Sequence, residues 1–202
     1  MPTPETAPWL LALVALAAYL LGCVPFGIVM ARLFGLGDLR KIGSGNIGAT
    51  NVLRTGNRTA AALTLILDAG KGGAAVLIAR ALFAEDAAQI AGLGAIAGHC
   101  FPIFIGFRGG KGVATFLGTL LALWWPAGLA ACATWLVVAA IGRYSSLSAL
   151  AAAALSPVWA ALTGYPEAAA FCLCLAALIF LRHKDNIARL RAGMEPKIGR
   201  KG

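Results

Sequence analysis

Residues 43–54 read Gly-Ser-Gly-Asn-Ile-Gly-Ala-Thr-Asn-Val-Leu-Arg, a polar, glycine-rich stretch in a chain otherwise rich in apolar residues. Glycines let backbone amides turn toward an anion, and hydroxyls, amides and an arginine complete the donor set. The chemistry this predicts is phosphate binding; a tight glycine-rich turn between helices is the simpler alternative. A second segment, Gly106-Phe107-Arg108-Gly109-Gly110-Lys111-Gly112, opens a helix predicted from Val113. Helix N-termini present free amides and a positive dipole end, so a preceding glycine-lysine loop suits phosphate. It is not a Walker A loop: the spacing is one residue short, and Gly112 stands where Ser or Thr is required. Nucleotide hydrolysis has no support.

The third segment runs Arg182-His183-Lys184-Asp185-Asn186-Ile187-Ala188-Arg189-Leu190 and leads to Gly193, Glu195 and Lys197. If the last helix continues through it, His183, Asn186 and Arg189 or Leu190 recur at three- and four-residue spacing and share a face. A basic juxtamembrane tail gripping anionic lipid explains the same residues equally well. Asp68 and Lys71 stand inside an apolar run as Asp-Ala-Gly-Lys-Gly. Ionisable residues there pair or line a polar cavity; a structural ion pair is favoured over a catalytic role, with Gly70, Gly72 and Gly73 admitting a neighbouring helix. His99, near Pro102, is expected to be a structural hydrogen-bonding residue.

The elements that must position these groups are membrane helices. Of 202 residues 60 % are hydrophobic and 12 % charged, too little charge to cover a soluble domain of this length. Seven apolar runs are predicted as spans: Trp9–Met30, Ala60–Phe83, Ala87–Ile105, Val113–Trp125, Leu129–Ile141, Leu147–Leu162 and Ala168–Leu181. The whole chain, 1–202, is then a single polytopic domain. Every Lys and Arg except Lys71 and Arg80, including Arg200 and Lys201, falls in the loops 31–59, 106–112 and 142–146 or the tail 182–202. Seven spans put all of these on one side. The positive-inside rule makes that side cytoplasmic, with the N-terminus outside. Residues 1–8 lack the basic n-region of a cleaved signal peptide. The five cysteines show no metal-ligand spacing, so no metal is expected. The net charge of +9 fits orientation and attraction to anionic headgroups or substrates, and no basic–aromatic interleaving supports nucleic-acid binding.

These motifs carry a resemblance. The chain resembles the bacterial acyl-phosphate:glycerol-3-phosphate acyltransferase family (PlsY) in Gly43 through Arg54, in Asp68-Ala69-Gly70-Lys71-Gly72, in Gly98-His99, in Phe107 through Thr115, and in His183 with Asn186, Arg189, Gly193, Glu195 and Lys197. The motifs stand in family order across most of the chain. The resemblance implies an all-α integral membrane enzyme of the bacterial inner membrane with its site facing the cytoplasm. It would move a fatty acyl group from acyl phosphate to the 1-hydroxyl of glycerol 3-phosphate, giving lysophosphatidic acid and phosphate, with no cofactor. The lipid bilayer and the soluble enzyme that supplies acyl phosphate are its implied partners.

By the same resemblance Ser44, Arg54, His183 and Asn186 are the catalytic candidates. Asn46, Thr50, Gly109, Gly110, Lys111, Gly112, Ser146 and Arg189 are the substrate-binding ones, and Glu195 is structural rather than catalytic. An acyl phosphate is already an activated mixed anhydride, which agrees with the absence of a recognisable nucleophile–base triad. Either His183 or the substrate's own phosphate oxygens take the proton. A transporter of small organic phosphates is the main rival. It explains the helices and the basic residues, but no inverted repeat is visible, and the polar motifs lie on one face rather than at mid-membrane. A non-catalytic scaffold would need no set of anion-binding motifs.

Overall fold

The computed structural model describes residues 5–199. Residues 1–4, part of the segment judged against a signal peptide, and Arg200 and Lys201 of the basic tail lie outside the described residues. All regular structure among the described residues is helical. The first apolar run becomes two pieces, α1 (Pro8–Gly22) and α2 (Phe26–Leu33), because Pro25 has no amide proton to continue the ladder. A short α3 (Ala49–Arg54) lies inside the first polar motif. The long α4 (Arg58–Leu82) starts where the Asn57 side chain accepts from the Ala60 amide at 2.9 Å. Then come α5 (Glu85–Cys100), α6 (Val113–Leu123), α7 (Trp125–Gly142), α8 (Ser145–Leu162), α9 (Ala169–Arg182) and α10 (Lys184–Arg191).

By length and hydropathy, five segments can cross a membrane: Pro8–Leu33, Arg58–Leu82, Glu85–Ile105, Trp125–Gly142 and Ser145–Leu162. Pro166–Arg182 qualifies only together with Lys184–Arg191, from which it is bent by 66°. The condition for a shared face of His183, Asn186 and Arg189, a last helix running straight through residues 182–190, is therefore not met: the chain turns a corner at His183. The predicted Val113–Trp125 segment is an 11-residue helix, about 16 Å long against about 30 Å of hydrocarbon. Trp125 belongs instead to α7, where Pro126 fits the first helical turn.

Polar contacts sort the helix ends into two groups. At one end, Arg40 reaches the Arg108 carbonyl, Thr50 meets Ser145, and Lys111 meets Asn186. At the other, the Glu5 and Thr6 amides bond Asp86, Arg80 pairs with Glu85, and Tyr165 donates to Glu85. All the chemistry-bearing motifs share the first end. The core is packed from Val76, Ile96, Phe116, Leu120, Phe171, Leu175 and Ile179, while Leu13, Leu16, Ile66, Leu77, Leu129, Leu136 and Leu173 are exposed around the outside, as a lipid-facing surface requires.

The half-length α6 lies against α4. A Cβ on Gly118 would collide with the Ala69 carbonyl, and one on Gly72 would press on Thr115 and Thr119. Gly72 and Gly73 thus make the close approach expected of them, whereas Gly70 faces open space. Because Gly72 sits near the middle of α4, α6 begins partway along it and carries the 106–112 loop inward. Beside that start, the buried Lys71 ammonium lies 2.8 Å from the Asp68 carboxylate and donates to the Val24 carbonyl at 2.8 Å. The ion pair favoured from sequence is present, and it also supplies a donor at the α1–α2 break.

Candidate active site

The first motif is organised by Asn51, which is 1 % exposed. Its side-chain oxygen accepts from the Ser44 amide at 3.1 Å and from the Ser44 hydroxyl at 3.4 Å, and its amide nitrogen donates to the Leu39 carbonyl at 2.9 Å. The chain can fold over Asn51 because Gly43 and Gly45 take left-handed backbone angles, φ 53° and 68°. Gly43 also leaves room for Arg54: a Cβ there would lie 2.7 Å from the Arg54 Cδ. Arg54 is half-buried against that turn.

The glycine-lysine loop is held by its own backbone. The Gly110 amide donates to the His99 carbonyl at 3.1 Å, and Arg182 donates to the carbonyls of Gly109 and Gly110, both at 3.1 Å. Gly112, at φ 80°, turns the chain into α6. Lys111 donates to the Asn186 side-chain oxygen. The Asn186 amide nitrogen donates to Glu195 at 2.6 Å, the Ser146 hydroxyl to the same Glu195 oxygen at 2.7 Å, and Arg189 Nε to the other at 2.7 Å. One nearly buried carboxylate thus ties α10 to the start of α8 and orients Asn186 toward Lys111.

Electrostatics follow from this packing. Burial lowers the Lys111 pKa to about 8, partly opposed by the Glu195 carboxylate. Glu195 is held below the usual carboxylate range, because hydrogen bonds from Ser146, Asn186 and Arg189 outweigh burial, which acts the other way. His183, only 2 % exposed, sits at the corner between α9 and α10. Its Nδ1 lies 2.8 Å from the Ile179 carbonyl, so Nδ1 carries the proton. Burial lowers its pKa to about 4, leaving the ring neutral near neutral pH.

A cavity of about 200 Å³ opens where the three motifs meet, lined by Ser44, Gly45, Asn46, Gly109, Lys111, Leu181, Arg182, Lys184, Asp185, Asn186 and Arg189. Of the candidate residues, Ser44, Asn46, Gly109, Lys111, Asn186 and Arg189 line it directly. Arg54, Thr50, Gly110, Gly112, Ser146 and His183 stand behind or beside it: Thr50 meets Ser145 at 3.3 Å, and Ser146 meets Glu195. Four basic side chains and one acidic one on this small wall suit an anion bearing several acceptor oxygens. The structure adds Arg182, Lys184 and Asn51 to the candidates. Arg182 and Lys184 belong to the third segment, which reads from sequence equally well as part of a site or as a tail gripping anionic lipid, and the role of Asn51 depends on a fold-back invisible in its spacing.

At the opposite end a cavity of about 480 Å³ is lined by Arg80, Glu85, Leu121, Ala122, Leu123, Trp124, Trp125 and Tyr165. Its charges are already engaged: Arg80 bonds both Glu85 oxygens and the Ala122 and Leu123 carbonyls, each at 2.8 Å. No group of three or more His, Cys, Asp and Glu side chains converges among the described residues.

A family model described as glycerol-3-phosphate acyltransferase matches residues 12–193. The chain is 69 % identical over 200 residues to the glycerol-3-phosphate acyltransferase of Jannaschia sp. (strain CCS1), covering 99 % of this chain and 98 % of that protein. It is 62 % identical over 201 residues to that of Cereibacter sphaeroides (strain ATCC 17025 / ATH 2.4.3), covering 100 % and 96 %. Its fold is similar to two crystal structures of PlsY, an integral membrane glycerol 3-phosphate acyltransferase. The glycerol 3-phosphate form has a TM-score of 0.88 at 39 % identity over 94 % of this chain and 96 % of that one. The lysophosphatidic acid form has a TM-score of 0.87 at 38 % identity over 94 % and 95 %.

Proposed function

The chain belongs to the glycerol-3-phosphate acyltransferase family, and on that premise we propose that its cavity binds glycerol 3-phosphate and directs acylation of the 1-hydroxyl to give lysophosphatidic acid. The observation that carries this reading is the convergence of the three polar motifs on one small cationic cavity. The protein is a multi-pass membrane protein. The described residues, 5–199, form one membrane domain with seven passes, α6 being a partial one, and its basic end faces the cytoplasm at the inner membrane.

Acyl phosphate is the donor, delivered by a soluble enzyme. The glycerol 1-oxygen attacks the acyl carbonyl carbon, forming the ester bond. The bond from that carbon to the phosphate oxygen breaks, and phosphate leaves with the electron pair. Lys111, Arg182, Lys184 and Arg189 supply positive charge for the phosphates. Ser44 and the loop amides donate to the carbonyl oxygen as it gains charge, and Arg54 acts from behind the first motif. The burial and low pKa of His183 support assigning the hydroxyl proton to the departing phosphate, with His183 holding the α9–α10 corner.

The test is phosphate release by purified protein in lipid cubic phase with palmitoyl phosphate and glycerol 3-phosphate, beside Arg54→Ala. Glycerol-3-phosphate-dependent release with lysophosphatidic acid as product, lost in the variant, is expected. No release across several acyl phosphates would overturn the reading and direct attention to glycerol 3-phosphate uptake in liposomes.

A further inference from the structure

The glycine pair before Lys111 has a packing partner that the reaction itself does not use. His99 lies in the last turn of α5 and is 6 % exposed. Its Nδ1 is 3.4 Å from the Asp68 carboxylate oxygen that also pairs with Lys71. The opposite edge of the ring faces Gly110. A Cβ built on Gly110 would collide with His99 Nε2 and lie 3.1 Å from both Cδ2 and Cε1. Gly110 is not among the residues with positive φ, so its backbone would accept alanine; the imidazole is what excludes it. The ring has little freedom to retreat, because Asp68 holds its other side, Lys71 holds Asp68, and Lys71 is fixed to the Val24 carbonyl. The Gly110 amide also bonds the His99 carbonyl.

The Lys111 loop is therefore gripped from two directions: Arg182 takes its carbonyls on the cavity side, and the His99 ring supports it from beneath. We propose that His99, braced by Asp68, is a positioning residue that sets where Lys111 meets the phosphate of glycerol 3-phosphate. Gly110 is glycine so that the loop can seat on that ring. The inference rests on the acylation reading above. His99 lies outside the cavity lining and acts only through the loop, so its loss shows in affinity for glycerol 3-phosphate before it shows in turnover.

A compensation experiment tests this with Gly110→Ala, His99→Ala and the double variant, each assayed for KM and kcat with acyl phosphate saturating and scanned for Tm. Gly110→Ala is expected to raise KM for glycerol 3-phosphate about tenfold with kcat within about threefold. His99→Ala raises it a few-fold. In the double variant the space vacated by the imidazole accepts the new methyl, so KM falls below that of Gly110→Ala alone, and the Tm loss is smaller than the sum of the two single losses. Fold-changes in KM that multiply in the double variant would overturn the proposal, as would an unchanged KM in His99→Ala. If the wild type shows no glycerol-3-phosphate-dependent phosphate release, the acylation reading falls and the positioning role with it. The Tm cycle still decides the contact, and additive Tm losses would refute it.

Discussion

Replacing Glu195 by Gln tests how the site holds its lysine. The side chain keeps its shape, so the amide oxygen still accepts from Ser146 and Asn186, but an NH2 group now faces Arg189 Nε, which is also a donor. One charge-assisted hydrogen bond is lost. Such bonds contribute about 1.5–3 kcal/mol, and because the Arg189 side chain is 36 % exposed solvent screening reduces that to about 1 kcal/mol. The larger effect is on Lys111. Burial has already brought its pKa to about 8, and the Glu195 charge resists that fall. Removing the negative charge favours the neutral amine, so Lys111 gives up its proton at lower pH. A neighbouring unit charge is worth about one pH unit or more.

The pH profile of kcat/KM for glycerol 3-phosphate reports groups of the free enzyme, so its alkaline limb is expected to move down by about one pH unit in Glu195→Gln. Activity then falls about fivefold near pH 8 while changing little near pH 6.5. Lys111→Arg supplies the control, because a guanidinium stays charged throughout this range and should abolish the limb. Parallel profiles for wild type and Glu195→Gln, or a limb that persists in Lys111→Arg, would refute the electrostatic argument.

Two other outcomes follow from the packing. His183 has a folded pKa of about 4 against an ordinary 6.5, so between those values the unfolded chain binds more protons. Its contribution is present above pH 6.5 and lost as the pH falls toward 4, on the order of 3 kcal/mol. Thermal unfolding of His183→Asn should be flatter across that window, and an identical slope would show that the ring is not held neutral. Arg80→Gln removes the cation that bonds Glu85 and the Ala122 and Leu123 carbonyls at the end of α6. Because the Arg80 side chain is 33 % exposed, the loss is put at about 2 kcal/mol. A Tm equal to wild type would mean that the clamp contributes nothing.

Much of this was legible in the sequence. Composition and apolar runs determined a helical membrane bundle, because a backbone in lipid must satisfy its polar groups internally. The Gly43–Arg54 and Gly106–Gly112 motifs stood out as candidates for an anion site, because the residue types suited to phosphate rarely serve a lipid-facing surface. The i, i+3 spacing of Asp68 and Lys71 also foretold their pairing, since neighbours on a helix meet whatever the rest of the fold does. Tertiary structure alone decided what depends on distant segments meeting. The apolar run Trp9–Met30 reads as one span, and neither the break at Pro25 nor the Lys71 bond to the half-buried Val24 carbonyl beside it was legible in it. The 66° corner at His183 took its ring out of the cavity wall and left Asn186 and Arg189 there, where a straight helix would have aligned all three. That Arg182 would hold the Gly109 and Gly110 carbonyls was not readable from its place in a basic tail, and His99 acquired a role only when α5, α4 and the Lys111 loop came together. Local spacing fixes which side chains share a helix face, whereas contacts across helices depend on packing of small residues such as Gly72 and Gly118, whose partners lie dozens of residues away.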